Sequence, residues 1–301
     1  MIISSSGLRK SVKYSQNFIN NSSLVKSFIQ KSSISKNDIV YEIGPGTGTI
    51  TYELAKLCKK VIAVEIDKNL AQKLKEKFHA VSNIEVRNED FLTHAVGEKA
   101  YKVFSNIPFN ITASIVKKLT ELNSPPLDAF LFIQFEAAEK FVGEPIAKET
   151  QQSLLIKPFF ELSVEHQFRR TDFRPMPNVD VALLRIKKRA RPLVEAKNIQ
   201  LYKDFIVYGF NSRKPVLREG FKNVFTGYQF SRLAKDLNFP DSSKPTDLNF
   251  SQWLSLFDFF LEGTDESKKL LVRDSESGLK SRQDKLKKIH RTRTAKNWRN
   301  F

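Results

Sequence analysis

The residues with most to offer chemically lie in Ser105-Asn106-Ile107-Pro108-Phe109-Asn110. The Asn106 amide oxygen and the Ile107 backbone carbonyl can accept the two hydrogens of one exocyclic amino group. A nitrogen held in this way becomes more pyramidal, and its lone pair points outward toward an electrophile. Pro108 fixes the backbone φ and removes a competing N–H. Phe109 offers a ring face on which a flat heterocycle stacks. The chemistry this set fits is methyl transfer to N6 of an adenine. No general base is required, because the attacked nitrogen becomes strongly acidic. Alignment supplies the rate and is worth ~7–11 kcal/mol of barrier in favourable cases. Taken alone, the four residues also fit a plain Asn-x-Pro turn with a core Phe.

A second motif changes that balance. Glu42-Ile43-Gly44-Pro45-Gly46-Thr47-Gly48 follows an apolar run and precedes a helical pattern. Glycines at such a place let the backbone turn tightly and approach a ligand closely. The spacing GxGxG differs from the GxGxxG of dinucleotide enzymes. Glu65 ends the next apolar run, where a carboxylate can accept both hydroxyls of a ribose. Asp90-Phe91 ends the third: an acid to accept an adenine amino proton and an aromatic to cover its face. An ordinary glycine turn and solvated strand ends are the competing readings of each feature alone. Three such features at successive strand ends are hard to dismiss together.

The elements that must position these residues are legible from periodicity. Strands are expected over 38–43, 61–66, 84–87, 101–105 and 128–134, and helices over 49–59, 68–78 and 112–122. The continuous apolar run Asp128–Gln134 suits a parallel strand buried on both faces. This alternation implies an α/β fold with a Rossmann-like, doubly wound sheet. The later runs 162–168 and 181–186, separated by Pro175 and Pro177, could form an antiparallel hairpin at the sheet edge. We expect a catalytic domain over 1–189 and a basic hinge at 187–192. A small helical domain should follow over 190–263, with helices near 199–211, 231–237 and 252–261. Residues 264–301 read as a polar tail, disordered in isolation: 267–301 hold 12 Lys+Arg against 3 Asp+Glu.

Together the motifs resemble the ribosomal RNA adenine N6-methyltransferase superfamily, over about residues 13–190. Within it the chain resembles the Erm branch, which confers macrolide–lincosamide–streptogramin B resistance. Lys13-Tyr-Ser-Gln16-Asn17-Phe18-Ile19 is similar to the family's N-terminal motif, Gln134-Phe-Glu136-Ala-Ala-Glu139 to the segment after its fifth strand, and Phe173-Arg-Pro175-Met-Pro177-Asn-Val-Asp180 to its late F-x-P-x-P-x-V-D motif. The resemblance implies S-adenosylmethionine as cofactor. It would be bound by Gln16, Asn17, Ile19, Gly44, Gly46, Gly48, Glu65, Ile66, Asp90, Phe91 and Asn106. Asn106, Ile107, Pro108 and Phe109 would be catalytic, with Phe109 on one face of the target base and Phe173 on the other. A housekeeping branch that dimethylates small-subunit rRNA usually carries Asn-Leu-Pro-Tyr, whereas this chain has Asn-Ile-Pro, as resistance enzymes do. Phe109 stands where Tyr is commoner, which leaves monomethyl and dimethyl products both open.

The charge balance, 50 Lys+Arg against 33 Asp+Glu, points to a polyanionic partner. Arg169, Arg170 and Arg174 flank Phe173. Arg185, Lys187, Lys188, Arg189 and Arg191 follow, then Arg213, Lys214 and Arg218. Of these, Arg169, Arg170, Arg174, Lys187, Lys188, Arg189 and Arg191 are the expected RNA-backbone contacts, with 23S rRNA as partner. Solvated faces are the alternative for any one cluster. A single cysteine, Cys58, rules out an internal disulfide, and the four histidines show no metal-ligand spacing, so no metal is expected. No stretch approaches the about 20 apolar residues of a membrane span, and the N-terminus lacks the apolar run of a secretory signal. The expectation is a cytoplasmic monomer. Three readings compete with a 23S rRNA methyltransferase: a housekeeping 16S dimethyltransferase, a non-catalytic RNA-binding relative and, least favoured by the spacing, a nicotinamide oxidoreductase.

Overall fold

The expected alternation builds one seven-stranded sheet. The structure is a computed structural model describing residues 18–19, 22–97, 100–212 and 214–285, with 18, 19, 22 and 285 described by backbone only. The chain divides into two units, with the boundary between Val194 and Glu195. Strands of the first unit are β1 (Phe18–Ile19), β2 (Ile39–Ile43), β3 (Lys60–Val64), β4 (Ile84–Arg87), β5 (Lys102–Asn106), β6 (Asp128–Gln134), β7 (Phe160–Phe168), β8 (Phe173–Arg174) and β9 (Val181–Lys188). Its helices are α1 (Ser22–Lys31), α2 (Thr49–Ala55), α3 (Lys68–Lys77), α4 (Thr112–Leu119), α5 (Phe135–Val142) and α6 (Gln151–Ile156).

The sheet order is β4-β3-β2-β5-β6-β9-β7. The first five strands are parallel, and β9 is antiparallel to both β6 and β7. The sheet is therefore Rossmann-like and doubly wound, closed at one edge by the expected hairpin. That hairpin folds back, so its second strand sits inside the sheet. Pairing with β9 along its whole length, Asp128↔Lys187 through Gln134↔Val181, makes β6 an interior strand, and its residues on both faces are buried, as its apolar run requires. Phe104, Phe130, Phe132, Phe168 and Leu183 of the sheet form one apolar cluster with Val25 and Ile29 of α1, Ile50 and Leu54 of α2, and Phe173 of β8, which lies outside the seven-stranded sheet.

Residues 189–193 stay with the first unit. Arg189 N–H donates to the Phe159 carbonyl and Leu193 N–H to that of Pro158, both at 2.9 Å, and Val194 is buried. The domain boundary thus falls five residues beyond the expected 189.

The second unit holds α7 (Ile199–Phe210), α8 (Leu217–Gly220), α9 (Gly227–Asp236), α10 (Phe250–Gly263), α11 (Glu266–Val272) and α12 (Ser275–Lys285). Phe205 of α7 is its hub, with the rings of Phe221, Trp253, Phe257 and Phe260 at 4.9–6.0 Å. Helices α9 and α10 begin earlier than expected because Thr226 with Gln229, and Asn249 with Gln252, form reciprocal capping boxes. The expectation of an unstructured tail from 264 fails over 266–285. Val272 is fully buried, and the buried Asp204 carboxylate on α7 accepts the Glu276 N–H at 2.9 Å, anchoring the start of α12. Residues 286–301, Arg213, Gln16 and Asn17 lie outside the described residues.

Candidate active site

The sheet order reverses between β2 and β5, so a crevice opens beyond their carboxyl ends. Cα pairing of β2 with β5 is confined to Val40↔Lys102 and Tyr41↔Val103. Beyond it the Ser105 hydroxyl takes over, accepting the Ile43 N–H (3.1 Å) and donating to the Ile43 carbonyl (2.6 Å). One buried serine thus ties the root of the glycine loop to the root of the Asn106 loop. Gly44, Gly46 and Gly48 all have positive φ, at 64°, 57° and 79°. A Cβ at Gly44 would stand 3.9 Å from Pro108 Cδ, so the two motifs are neighbours. Gly48 has no room for one: Phe78 and Leu74 of the α3 region lie within 2.6–2.8 Å of that point.

Glu65 emerges from β3 into this crevice and is 1% exposed. Its two carboxylate oxygens each accept a backbone N–H, from Gly46 at 3.3 Å and Asp67 at 3.0 Å. Each oxygen keeps a second lone pair, which is what a pair of ribose hydroxyls requires. Beneath it, Glu42 is also buried and accepts the Thr51 hydroxyl at 2.5 Å. Burial, reinforced by the nearby Glu65 charge, pushes the Glu42 carboxyl up to about 8. Burial raises Glu65 as well, opposed by the N–H groups it accepts.

Asp90 and Phe91 open a turn after β4. Asp90 Oδ1 accepts the Leu92 N–H at 2.8 Å, and its carbonyl accepts the N–H groups of Thr93 and His94. Phe91 is buried, with its ring beside His94 and under the Lys118 ammonium at 4.9 Å. It therefore backs the turn instead of presenting a face. The exposed apolar side chain on this side is Ile66, 54% exposed beside Glu65. Lys118 and His94 belong to no sequence motif, so sequence reasoning misses them; their positions follow only from the packing of α4 against this turn.

Phe109 is half-buried in the same cluster as Phe173. Phe173 is 1% exposed and lies edge-on to Phe168 at 5.7 Å. Both rings therefore pack on one extended apolar cluster, and stacking of a base on Phe173 requires it to leave that cluster. The short strands β1 and β8 pair as Phe18↔Arg174 and Ile19↔Phe173, which joins the N-terminal motif to the late one.

The basic residues divide by partner. Arg170 pairs with Asp180 (2.8 Å), and Lys187 and Arg189 share Glu161. Arg185 holds the buried Asp128 with a two-pronged contact (3.1 and 2.7 Å) and is a structural brace. Arg218 is paired with Asp241. Arg169, Arg174, Lys188 and Arg191 are exposed. Among the described residues there is no group of three His, Cys, Asp or Glu able to hold a metal, and no helix long and apolar enough to cross a membrane.

Comparison with known proteins decides what this crevice belongs to. Residues 7–262 match the description of one family, ribosomal RNA adenine dimethylase. The chain belongs to that family. A relative from Thermotoga neapolitana, named ribosomal RNA small subunit methyltransferase A, is 32% identical over 237 residues, covering 77% of this chain and 88% of the relative. An rRNA adenine N-6-methyltransferase of Limosilactobacillus reuteri is 30% identical over 255 residues, covering 84% and 97%. The crystal structure of the 23S rRNA methyltransferase ErmE superposes with a TM-score of 0.75 at 27% identity, over 80% of this chain and 98% of that one. A Plasmodium falciparum dimethyladenosine transferase shares the fold, with a TM-score of 0.65 at 22% identity. As a family member the chain is an enzyme, an S-adenosylmethionine-dependent rRNA adenine N6-methyltransferase. The crevice fits that cofactor: Glu65 presents spare acceptors, the Gly44–Gly48 backbone leaves close access, and Ile66 offers an apolar face.

Proposed function

We propose that the enzyme methylates N6 of an adenine in 23S rRNA and thereby confers macrolide–lincosamide–streptogramin B resistance. The observation that carries the chemistry is the Asn106-Ile107-Pro108-Phe109 loop set against the glycine loop at the sheet's switch point. Two features support the large-subunit target: Ile107, as in resistance enzymes, and the likeness to ErmE over nearly its whole length. When bound, S-adenosylmethionine supplies an electrophilic methyl group. The protein's own part is placement. The Asn106 amide oxygen and the Ile107 carbonyl accept the amino hydrogens, and Phe109 holds the base plane. Gly44, Gly46, Gly48, Glu65, Ile66 and Asp90 hold the cofactor, with Gln16, Asn17 and Ile19 on its methionine side. Arg169, Arg170, Arg174, Lys187, Lys188, Arg189 and Arg191 meet phosphates, those in ion pairs by exchanging partners. The enzyme acts as a cytoplasmic monomer.

A small-subunit target is the second reading, favoured by the names of relatives such as those from Thermotoga neapolitana and Thermotoga maritima. Expression in a host lacking both enzymes, followed by mapping of N6-methylated adenines and growth on erythromycin, separates the two. Methylation in the large-subunit RNA with growth supports the proposal. Methylation confined to small-subunit RNA overturns the target but keeps the chemistry. Absence of methyl-adenine from both, with the protein folded and abundant, overturns both.

A further inference from the structure

The Lys118 ammonium donates to three backbone carbonyls of a single turn: Phe91 at 2.5 Å, Leu92 at 3.1 Å and His94 at 2.5 Å. An ammonium has three donors, so all are used on this turn. The same group sits over the Phe91 ring at 4.9 Å, an added cation–π contact. The turn begins at Asp90; burial lowers the Lys118 pKa, and the Asp90 and Glu121 charges oppose that shift. Lys118 lies in the last turn of α4, and α4 starts at Thr112, directly after the short helical turn Phe109–Ile111 that ends the Asn106 loop. Helix α4 therefore carries the target-base loop at one end and, near the other, a cation that gathers the turn bearing Asp90.

We propose that Lys118 is a positioning residue for recognition of the cofactor's adenine: it holds the 90–94 turn so that the Asp90 carboxylate accepts from the exocyclic amino group. This rests on the reading of Asp90 as the adenine contact. A carboxylate accepts from an amino group but repels the oxygen of a 6-oxo purine, so the discrimination depends on the carboxylate being held in place. Lys118 touches neither cofactor nor base. Its action is on the carbonyls of the turn that carries Asp90. His94 also braces this turn, donating from Nδ1 to the Glu89 carboxylate at 2.5 Å.

The test uses the full chain and two probes, S-adenosylhomocysteine and its 6-oxo counterpart S-inosylhomocysteine, with affinities read by calorimetry. Lys118→Met should weaken S-adenosylhomocysteine about tenfold, the worth of one charge-assisted hydrogen bond, and leave S-inosylhomocysteine within about twofold, so that discrimination collapses. The KM for S-adenosylmethionine should rise while kcat at saturation holds. Lys118→Arg should restore most of the discrimination. Lys118→Gln, which keeps a donor without the charge, gives an intermediate ratio and serves if the Met variant fails to fold. An unchanged ratio in Lys118→Gln or Lys118→Met, or equal loss for both probes, overturns the proposal. Asp90→Asn is run alongside: if it leaves the ratio unchanged, the reading of Asp90 fails; if it collapses the ratio and the Lys118 variants do not, only the role of Lys118 fails.

Discussion

Glu42→Gln should make the protein's stability less dependent on pH, and the structure sets the size. The Glu42 carboxyl is buried and stands near 8, against an ordinary value of 4.5. Between those values the folded chain holds a proton that the unfolded chain has released. Stability therefore falls as pH rises through this window, and levels off above about 8. Each unit is worth about 1.36 kcal/mol per proton. From 4.5 to 7 the loss is about 3 kcal/mol, and to pH 8 about 5 kcal/mol, as a ceiling. Glutamine keeps the volume and an oxygen to accept from Thr51, and it does not titrate. Glu65 is raised too, but it is present in both proteins and largely cancels. Urea unfolding of wild type and variant from pH 5 to 9 is the assay, because urea carries no charge of its own. The variant should gain on wild type as pH rises, by about 2–3 kcal/mol between pH 5 and 7. Parallel stability curves for the two proteins would refute the buried, proton-holding state of Glu42.

Four further outcomes are expected. Asn106→Ala should lower kcat by about 100-fold or more while cofactor affinity moves less, since it removes an acceptor aligned for the transfer step; steady-state kinetics with calorimetry checks it. Glu65→Gln should raise the S-adenosylmethionine dissociation constant at least about tenfold, because one of its two acceptors becomes a donor. Gly48→Ala combines a left-handed backbone with clashes at 2.6–2.8 Å against Phe78 and Leu74, and should cost about 2–5 kcal/mol in a denaturant melt; Gly278→Ala, where a Cβ meets nothing within 4 Å, should stay within about 1 kcal/mol. Deleting residues 286–301, which hold six Lys+Arg and no Asp or Glu, should weaken RNA binding and flatten its salt dependence, by about 0.7–0.9 in log–log slope for each phosphate no longer neutralised; equal slopes and affinities on one RNA fragment would remove this segment from binding.

The parallel half of the sheet is legible because its signal is local. Ile39–Ile43, Lys60–Val64 and Asp128–Gln134 are short apolar runs, and the first two lead into residues whose types already suggest a task, Gly44 and Glu65. The site follows from the sheet order: once Gly44–Gly48 and Asn106–Phe109 are placed after adjacent parallel strands, the crevice between them is fixed. Capping explains the smaller misses. Thr226 and Asn249 are N-cap types with Gln three residues on, a signal present in the sequence but upstream of the expected helix starts.

What stays hidden depends on contacts between distant segments. Helices α11 and α12 are mostly polar, and composition argues against them; a single buried Val272 and the Asp204–Glu276 hydrogen bond, 72 residues apart in sequence, hold them to α7. Phe91 and Ile66 show the same limit in the site. An aromatic at a strand end reads as a stacking surface, but whether its face is open depends on what covers it, here Lys118 from a helix 27 residues downstream. Phe173 likewise takes its role from its motif, and its burial depends on Phe168 and on α1. The pattern of residues therefore identifies which side chains can reach a ligand, while packing decides which of them face it. This places the test of Phe173 in the bound state: a Phe173→Leu variant that keeps its fold should lose target-base affinity only if the ring leaves the cluster to stack. Unchanged methylation at sub-saturating RNA would keep Phe173 in the core and leave Phe109 as the stacking ring.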